Sequence, residues 1–236
     1  ASSYFLNINV DEKIKFSLRN LSGFCLKKDG IMFKIDGMTV QSKLSGEFNL
    51  YNILAAIAFS KTQNIGMETI KSAIEKFSGI EGRMESIEEG QDFKVIVDYA
   101  HTADSLEKVY EMFQGSRKIC VFGAAGGGRD KWKRPEMGKI ASKHCDQVIL
   151  TNEDPYDENP RVIVHDIKKG MSSGNCEIIL DRREAMKKAF RYAKTGDAVI
   201  ITGKGAEPWI MGPKGEKIRW DDREVCREEL KNLLVK

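Results

Sequence analysis

Residues 95–135, VIVDYAHTADSLEKVYEMFQGSRKICVFGAAGGGRDKWKRP, contain two apolar runs, Val95–Val97 and Ile119–Phe122. Both read as buried parallel strands, because each is apolar on successive residues rather than alternate ones. Between them Leu106, Val109, Tyr110 and Phe113 recur at helical spacing, so Ala103–Phe113 is expected to be a helix and the whole a βαβ unit. Such units bind ligands at the carboxyl ends of their strands. The first strand ends in Asp98-Tyr99-Ala100-His101 and the second in Gly126-Gly127-Gly128-Arg129-Asp130-Lys131, which places the candidate site there.

Alternation continues outward from this unit. Helix 136–143 leads to strand Gln147–Leu150, helix 161–169 to strand 177–180, and helix 183–193 to strand Ala198–Thr202, with a last amphipathic helix at 223–233. The expected fold class is α/β, a Rossmann-like, mostly parallel sheet with helices on both faces. Four strand ends then share one edge. Two further polar segments join it, Thr151-Asn152-Glu153-Asp154-Pro155-Tyr156 after Leu150 and Gly203-Lys204-Gly205-Ala206-Glu207 after Thr202.

Upstream the pattern differs. Runs at 4–8, 14–18, 23–26, 31–35 and 38–41 are strand-like, and Asp-Gly pairs at 29–30 and 36–37 favour tight hairpin turns. A helix over 50–61 and a second over 67–77 follow, giving an α+β segment. Asn49 and Asn52 suit an N-cap and a first-turn residue, and equally an amide that pairs with an adenine edge. The domain boundary is expected near 78–84, giving domains 1–80 and 81–236 that move about Gly82-Arg83. Arg83 reads either as a solvated charge or as a hinge arginine that reaches a phosphate.

Composition excludes several classes. The 236 residues carry 38 basic and 35 acidic side chains, a net charge of +3, so no bulk field calls for nucleic acid or an anionic membrane. No apolar run approaches a membrane span, and there is no signal-peptide pattern. The five cysteines, Cys25, Cys120, Cys145, Cys176 and Cys226, are widely spaced and odd in number, which fits reduced thiols in a cytoplasm. Cysteine and histidine spacing gives no metal site. The chain starts at Ala1 without methionine and is expected to be a fragment or a processed product.

At the strand-end edge, Gly126–Gly128 would let backbone amides approach an anion, with Arg129, Lys131, Lys133 and Arg134 adding positive charge. A plain βα turn with a solvated basic face remains the alternative. Neither GxxxxGK[ST] nor GxGxxG occurs in the 236 residues. Glu153, Asp154 and Glu207 could hold an ammonium, so an edge with both signs of charge fits a zwitterion such as an amino acid.

The segments GEFNLYNILAAIA, EGRMESI, VIVDYAHTADSL, VFGAAGGGRDKWKRPEMGKIA, TNEDPYDENP, ITGKGAEPWI and WDDREV, in this order, resemble the closing half of the Mur ligases over residues 46–236. The resemblance is strongest to the branch that adds the third residue of the peptidoglycan stem peptide to a UDP-N-acetylmuramoyl-dipeptide. It implies an ATP- and Mg2+-dependent, ADP-forming ligase acting through an acyl phosphate in the cytoplasm, expected to be a monomer. Residues 1–80 would be the tail of a central ATPase domain and 81–236 the C-terminal Rossmann-like domain. The P-loop and principal magnesium ligands would precede Ala1, so this segment alone is expected to be inactive.

By the same resemblance Asn49, Asn52, Arg83, Asp98, Tyr99 and His101 serve ATP. Arg129, Lys131, Glu153, Asp154, Tyr156, Gly203, Lys204 and Glu207 serve the amino acid. Two departures stand out. Enzymes of this branch that add meso-diaminopimelate have Asp-Asn-Pro-Arg where this chain has Glu153-Asp154-Pro155-Tyr156, and the family's Gly-Lys-Gly-His-Glu is here Gly203-Lys204-Gly205-Ala206-Glu207. Loss of the arginine removes the partner of a distal carboxylate, so lysine or ornithine is expected as the added residue unless Lys204 or Arg161 replaces it. A sister ligase acting on folylpolyglutamate, cyanophycin or pseudomurein, and a non-catalytic nucleotide-binding module, are the competing readings.

Overall fold

The computed structural model describes residues 8–10, 13–27, 30–172 and 174–235. The chain divides into two compact units, Ala1–Gly79 and Ile80–Lys236.

In the first unit, β1 (Gly23–Lys27), β2 (Gly30–Ile35) and β3 (Met38–Ser42) form an antiparallel meander. Asp36 and Gly37 both take positive φ, 49° and 76°, and join β2 to β3 in the two-residue turn that an Asp-Gly pair favours. Helices α1 (Glu47–Thr62) and α2 (Met67–Lys76) cover the sheet. Ile31, Phe33, Ile35 and Val40 from the strands meet Leu50, Ile53, Leu54 and Ile57 of α1 and Ile70 of α2. The expected strand over 14–18 is absent: residues 13–17 join no ladder, and Leu18–Asn20 form a 3-10 turn capped by Ser17. Residues 4–7 of the first expected strand, and Asp29 of the first turn, lie outside the described residues.

The second unit holds a six-stranded sheet. Its elements are β4 (Glu85–Ser86), β5 (Lys94–Asp98), α3 (Ala103–Glu111), β6 (Lys118–Phe122), α4 (Lys133–His144), β7 (Gln147–Leu150), α5 (Pro160–Lys168), β8 (Cys176–Ile178), α6 (Arg182–Tyr192), β9 (Ala198–Thr202), a hairpin of β10 (Trp209–Met211) and β11 (Lys217–Arg219), and α7 (Asp222–Leu234). The strand order is β4-β5-β9-β6-β7-β8, parallel except for β4. The two strands of the 95–122 unit are therefore not neighbours: β9, last of the parallel set in sequence, inserts between them and pairs with both.

Strand residues divide by parity. Ile96, Cys120, Phe122, Val148, Leu150 and Ile200 face α3, α4 and α5, while Val95, Val97, Ile119, Val121, Ile149, Val199 and Ile201 face α6 and α7. Both faces are covered, which is why these strands read as continuous apolar runs. Burying each such Val or Ile contributes about 1.5–3 kcal/mol.

Helix α4 starts three residues before the expected 136, because Pro135 in a first turn needs no amide donor. Its return alongside the sheet brings Cys145 to Cys120, and the two are joined as a disulfide with a Cα–Cα distance of 6.2 Å. This corrects the expectation of five separate thiols; Cys25, Cys176 and Cys226 are the free ones.

Candidate functional site at the carboxyl edge of the sheet

Register fixes the edge. Asp98 pairs with Thr202 across β5 and β9, Val121 with Ile201 across β6 and β9, and Phe122 with Leu150 across β6 and β7. The order along the edge is thus Asp98, Thr202, Phe122, Leu150, and the loop after each strand emerges on the same side.

At one end Asp98 is buried. Its Oδ2 accepts from the Met84 amide at 2.8 Å and its Oδ1 from the Ala100 amide at 2.7 Å. Burial pushes its pKa up, against these bonds and the nearby Arg83. The Arg83 guanidinium lies 4.1 Å over the Tyr99 ring and makes no ion pair among the described residues. His101 donates through Nδ1 to the Tyr99 carbonyl at 2.9 Å and packs edge-on against the Tyr99 ring at 4.8 Å.

From Tyr99 the network continues inward. Its hydroxyl donates to Glu207 Oε1 at 2.8 Å; Lys204 Nζ donates to Glu207 Oε2 at 2.6 Å and to both Asp154 oxygens at 2.9 and 2.8 Å. The Met211 amide also binds Asp154 Oδ1, and the Tyr156 amide binds the Met211 carbonyl, so the β10–β11 hairpin is sewn to the 151–159 loop. Lys204 is 1% exposed, its charge consumed by two carboxylates. Both of these pairs would have to be given up before it could stand in for a missing arginine.

Glu153 behaves differently from its neighbour. It is 5% exposed, its Oε2 has no hydrogen-bond partner, and burial pushes its pKa up to about 7. Arg182, Lys204 and Lys133 pull that value down, and Asp154 adds to the rise. Gly203 packs against this carboxylate; a Cβ there would lie 2.3 Å from Glu153 Oε2.

The glycine-rich run is only in part an open cradle. The Gly126 amide is spent on the Asp154 carbonyl at 2.7 Å. A Cβ on Gly127 would come within 2.6 Å of the Tyr156 ring, and Tyr156 itself takes a positive φ of 51°. Close approach of two loops is thus one use of these glycines. Arg129 is exposed and has no ion pair among the described residues, whereas Lys131 reaches Glu158 at 3.1 Å.

Arg134, expected to add surface charge, is instead fully buried. It binds Glu158 through Nη1 and Nη2 at 2.7 and 3.0 Å, Asp166 at 3.2 Å and the Ala125 carbonyl at 3.2 Å. Sequence also gave no sign that Arg182 is a buried strut. It binds Asp222 twice, at 2.8 and 2.6 Å, and donates to the carbonyls of Asn152 and Thr202. The only available signal was the Trp220-Asp221-Asp222 motif, since Trp220 Nε1 binds the same Asp222.

Asn49 and Asn52 belong to the first unit. Gly46, not Asn49, is the N-cap of α1; Asn49 Nδ2 donates to the Ser45 carbonyl and Asn52 Nδ2 to Asn49 Oδ1. Glu107, Glu111 and His144 form a grouping of metal-ligand type, but Glu107 already pairs with Lys143 and the three lie on α3 and α4, away from this edge.

Residues 82–205 match the family described as Mur ligase, glutamate ligase domain. The chain belongs to the Mur ligases. It is 42% identical over 86% of its length to UDP-N-acetylmuramoyl-L-alanyl-D-glutamate–2,6-diaminopimelate ligase of Syntrophomonas wolfei, of which it covers 43%. A solved structure of a ligase with that same name aligns at a TM-score of 0.63 and 30% identity, covering 91% of this chain and 45% of that one. A pseudomurein peptide ligase type C from Methanothermus fervidus aligns at 0.65 and 19% identity over 88% of this chain and 41% of that one, which shows the shared fold alone. This Mur ligase chain thus spans less than half the length of these relatives. Among its described residues no helix is long and apolar enough to cross a membrane.

Proposed function

We propose that the chain is the C-terminal part of a cytoplasmic, ATP-dependent ligase that adds a basic amino acid to a UDP-N-acetylmuramoyl-dipeptide. The family and the relatives' names support the reaction class. In the reaction envisaged, the terminal carboxylate of the dipeptide attacks the γ-phosphorus of ATP, releasing ADP and leaving an acyl phosphate. The amine of the incoming amino acid then attacks the acyl carbon, inorganic phosphate leaves, and the amine gives up a proton. Mg2+ and ATP would rest chiefly on a preceding ATPase domain whose tail is residues 1–80, and the 236 residues contain no GxxxxGK[ST] loop. From this chain Asp98, Tyr99, His101 and Arg83 would face the nucleotide, Arg83 being exposed and making no ion pair among the described residues.

One observation carries the choice of amino acid. Lys204 bridges Asp154 and Glu207, so a single cationic side chain is set against two acidic ones, and the Glu207 side chain is 38% exposed. That suits one ammonium. The α-carboxylate of the same amino acid would go to Arg129, which is exposed and makes no ion pair among the described residues. The 151–159 segment itself supplies no cation, and Tyr156 can offer only a neutral hydrogen bond to a distal carboxylate. Burying an unpaired carboxylate there costs on the order of several kcal/mol. Lysine or ornithine is therefore preferred to meso-diaminopimelate, although the relatives' names specify the latter.

ADP release by the full-length ligase, measured with each amino acid in turn, tests this reading. A higher kcat/KM for lysine is expected, and Tyr156→Arg should shift the preference toward meso-diaminopimelate. A wild-type preference for meso-diaminopimelate would contradict the assignment.

A further inference from the structure

We infer that Tyr99 and Lys204 are positioning residues for the amino acid, acting together through Glu207. This deepens the function proposed above and rests on the assignment of Glu207 to the substrate ammonium.

Both carboxylate oxygens of Glu207 are held from the protein side, Oε1 by the Tyr99 hydroxyl at 2.8 Å and Oε2 by Lys204 Nζ at 2.6 Å. Two anchors on one carboxylate fix its rotation as well as its place. Each anchor is itself fixed. Lys204 is buried and gripped by both oxygens of Asp154, which in turn accepts the Met211 amide. The Tyr99 ring has the Arg83 guanidinium over its face and the His101 ring against it, so its hydroxyl has little freedom to turn away. The hydrogen bond to Glu207 also holds the phenol protonated, as a donor. Burial works to raise the Glu207 pKa, but the bonds from Lys204 and Tyr99 outweigh it and the group sits below its ordinary value, ionised at neutral pH. An exposed glutamate would sample several rotamers and give up that freedom on binding. Here that ordering is complete before the ligand arrives, which is the route by which preorganisation raises affinity.

Tyr99 links two neighbouring strand ends. It lies one residue after Asp98 at the end of β5, and reaches a residue after β9, the strand inserted beside it. Residues 108 apart in sequence meet because β9 returns to the centre of the sheet.

The test is a mutant cycle on steady-state ADP release by the full-length ligase, with ATP and UDP-muramoyl-dipeptide saturating and lysine varied. Tyr99→Phe removes only the hydroxyl and leaves the ring under Arg83. It should raise the KM for lysine about tenfold, the scale of one hydrogen bond to a charged group, with kcat falling by less than KM rises. Glu207→Asp keeps the charge but withdraws it from Tyr99, and should give a similar rise without relying on the Tyr99 variant to fold. In the double variant the two effects should not multiply. An unchanged KM in Tyr99→Phe, or full multiplication in the double variant, overturns the inference while leaving the proposed function standing. A wild-type enzyme with no amino-acid-dependent ADP release overturns both.

Discussion

The glycine-rich segment of residues 123–134, which runs into the first turn of α4, and the acidic loop of residues 151–159 lie side by side on the edge, and each is divided within itself. In the first, Arg129 and Arg134 are five residues apart. Arg129 is exposed and unpaired among the described residues, while Arg134 is buried with two carboxylates and a carbonyl around it. In the second, Glu153 and Glu158 are also five apart. Burial pushes Glu153 up to about 7, whereas hydrogen bonds from Arg134 and Lys131 bring Glu158 down to about 2. The inner pair, Arg134 with Glu158, is a clasp between the loops. Arg129, on one side, is exposed with no ion pair among the described residues, and Glu207, on the other, is 38% exposed. Charge read from sequence therefore overstates charge available, because a buried ion must find a partner within the protein.

The sharpest way to break this division is to remove the clasp. Arg134→Met leaves Glu158 and Asp166 without their shared partner. Unfolding in urea at pH 7 should show a loss of about 3–5 kcal/mol, the usual cost of removing one member of a buried pair. A loss below about 1 kcal/mol would mean that the loops are held by something else.

Glu153 gives the next largest effect, with a pH signature. Its native value, about 7, lies above the ordinary 4.5, so the folded protein keeps a proton that the unfolded chain releases. The stability this supplies is complete below about pH 4.5 and is lost as pH rises through about 7, by up to roughly 3 kcal/mol. Glu153→Gln should flatten stability across that window and leave the variant the more stable at pH 8. A Gln variant that retains the wild-type slope would reassign the proton to another group.

Arg129→Ala should have the smallest structural effect, within about 0.5 kcal/mol in the same urea assay, because the side chain is exposed and makes no ion pair among the described residues. Its consequence belongs to binding. The KM for lysine should rise by on the order of tenfold or more if Arg129 holds the α-carboxylate. A large fall in stability with no change in KM would reverse the roles given to the two arginines.

Much of the fold was legible because local periodicity carried it. The continuous apolar runs at 95–97, 119–122, 148–150 and 198–201 announced strands covered on both faces, and all four are in the sheet. The strand-to-strand order was not legible: nothing within 198–202 says that it lies between β5 and β6, since that pairing is a long-range choice. The β10–β11 hairpin also escaped notice, because three-residue strands are too short to show alternation. At the site, residue types and the shared edge were readable, but the state of each charge was not. Lys204 and Arg134 look like any solvated basic residues until burial and partners are known. The Tyr99–Glu207 bond could not be read either, since it depends on β9 lying beside β5.

Under the proposed function this edge receives a basic amino acid for an ADP-forming ligation. ADP release by the full-length protein with ATP, Mg2+ and UDP-N-acetylmuramoyl-dipeptide, with and without lysine, in the wild type and in Arg129→Ala, tests it. Release in the wild type should require both the dipeptide and lysine, and in Arg129→Ala the lysine KM should rise by on the order of tenfold. Release that proceeds equally without lysine, or that is unchanged in Arg129→Ala at every lysine concentration, would contradict it.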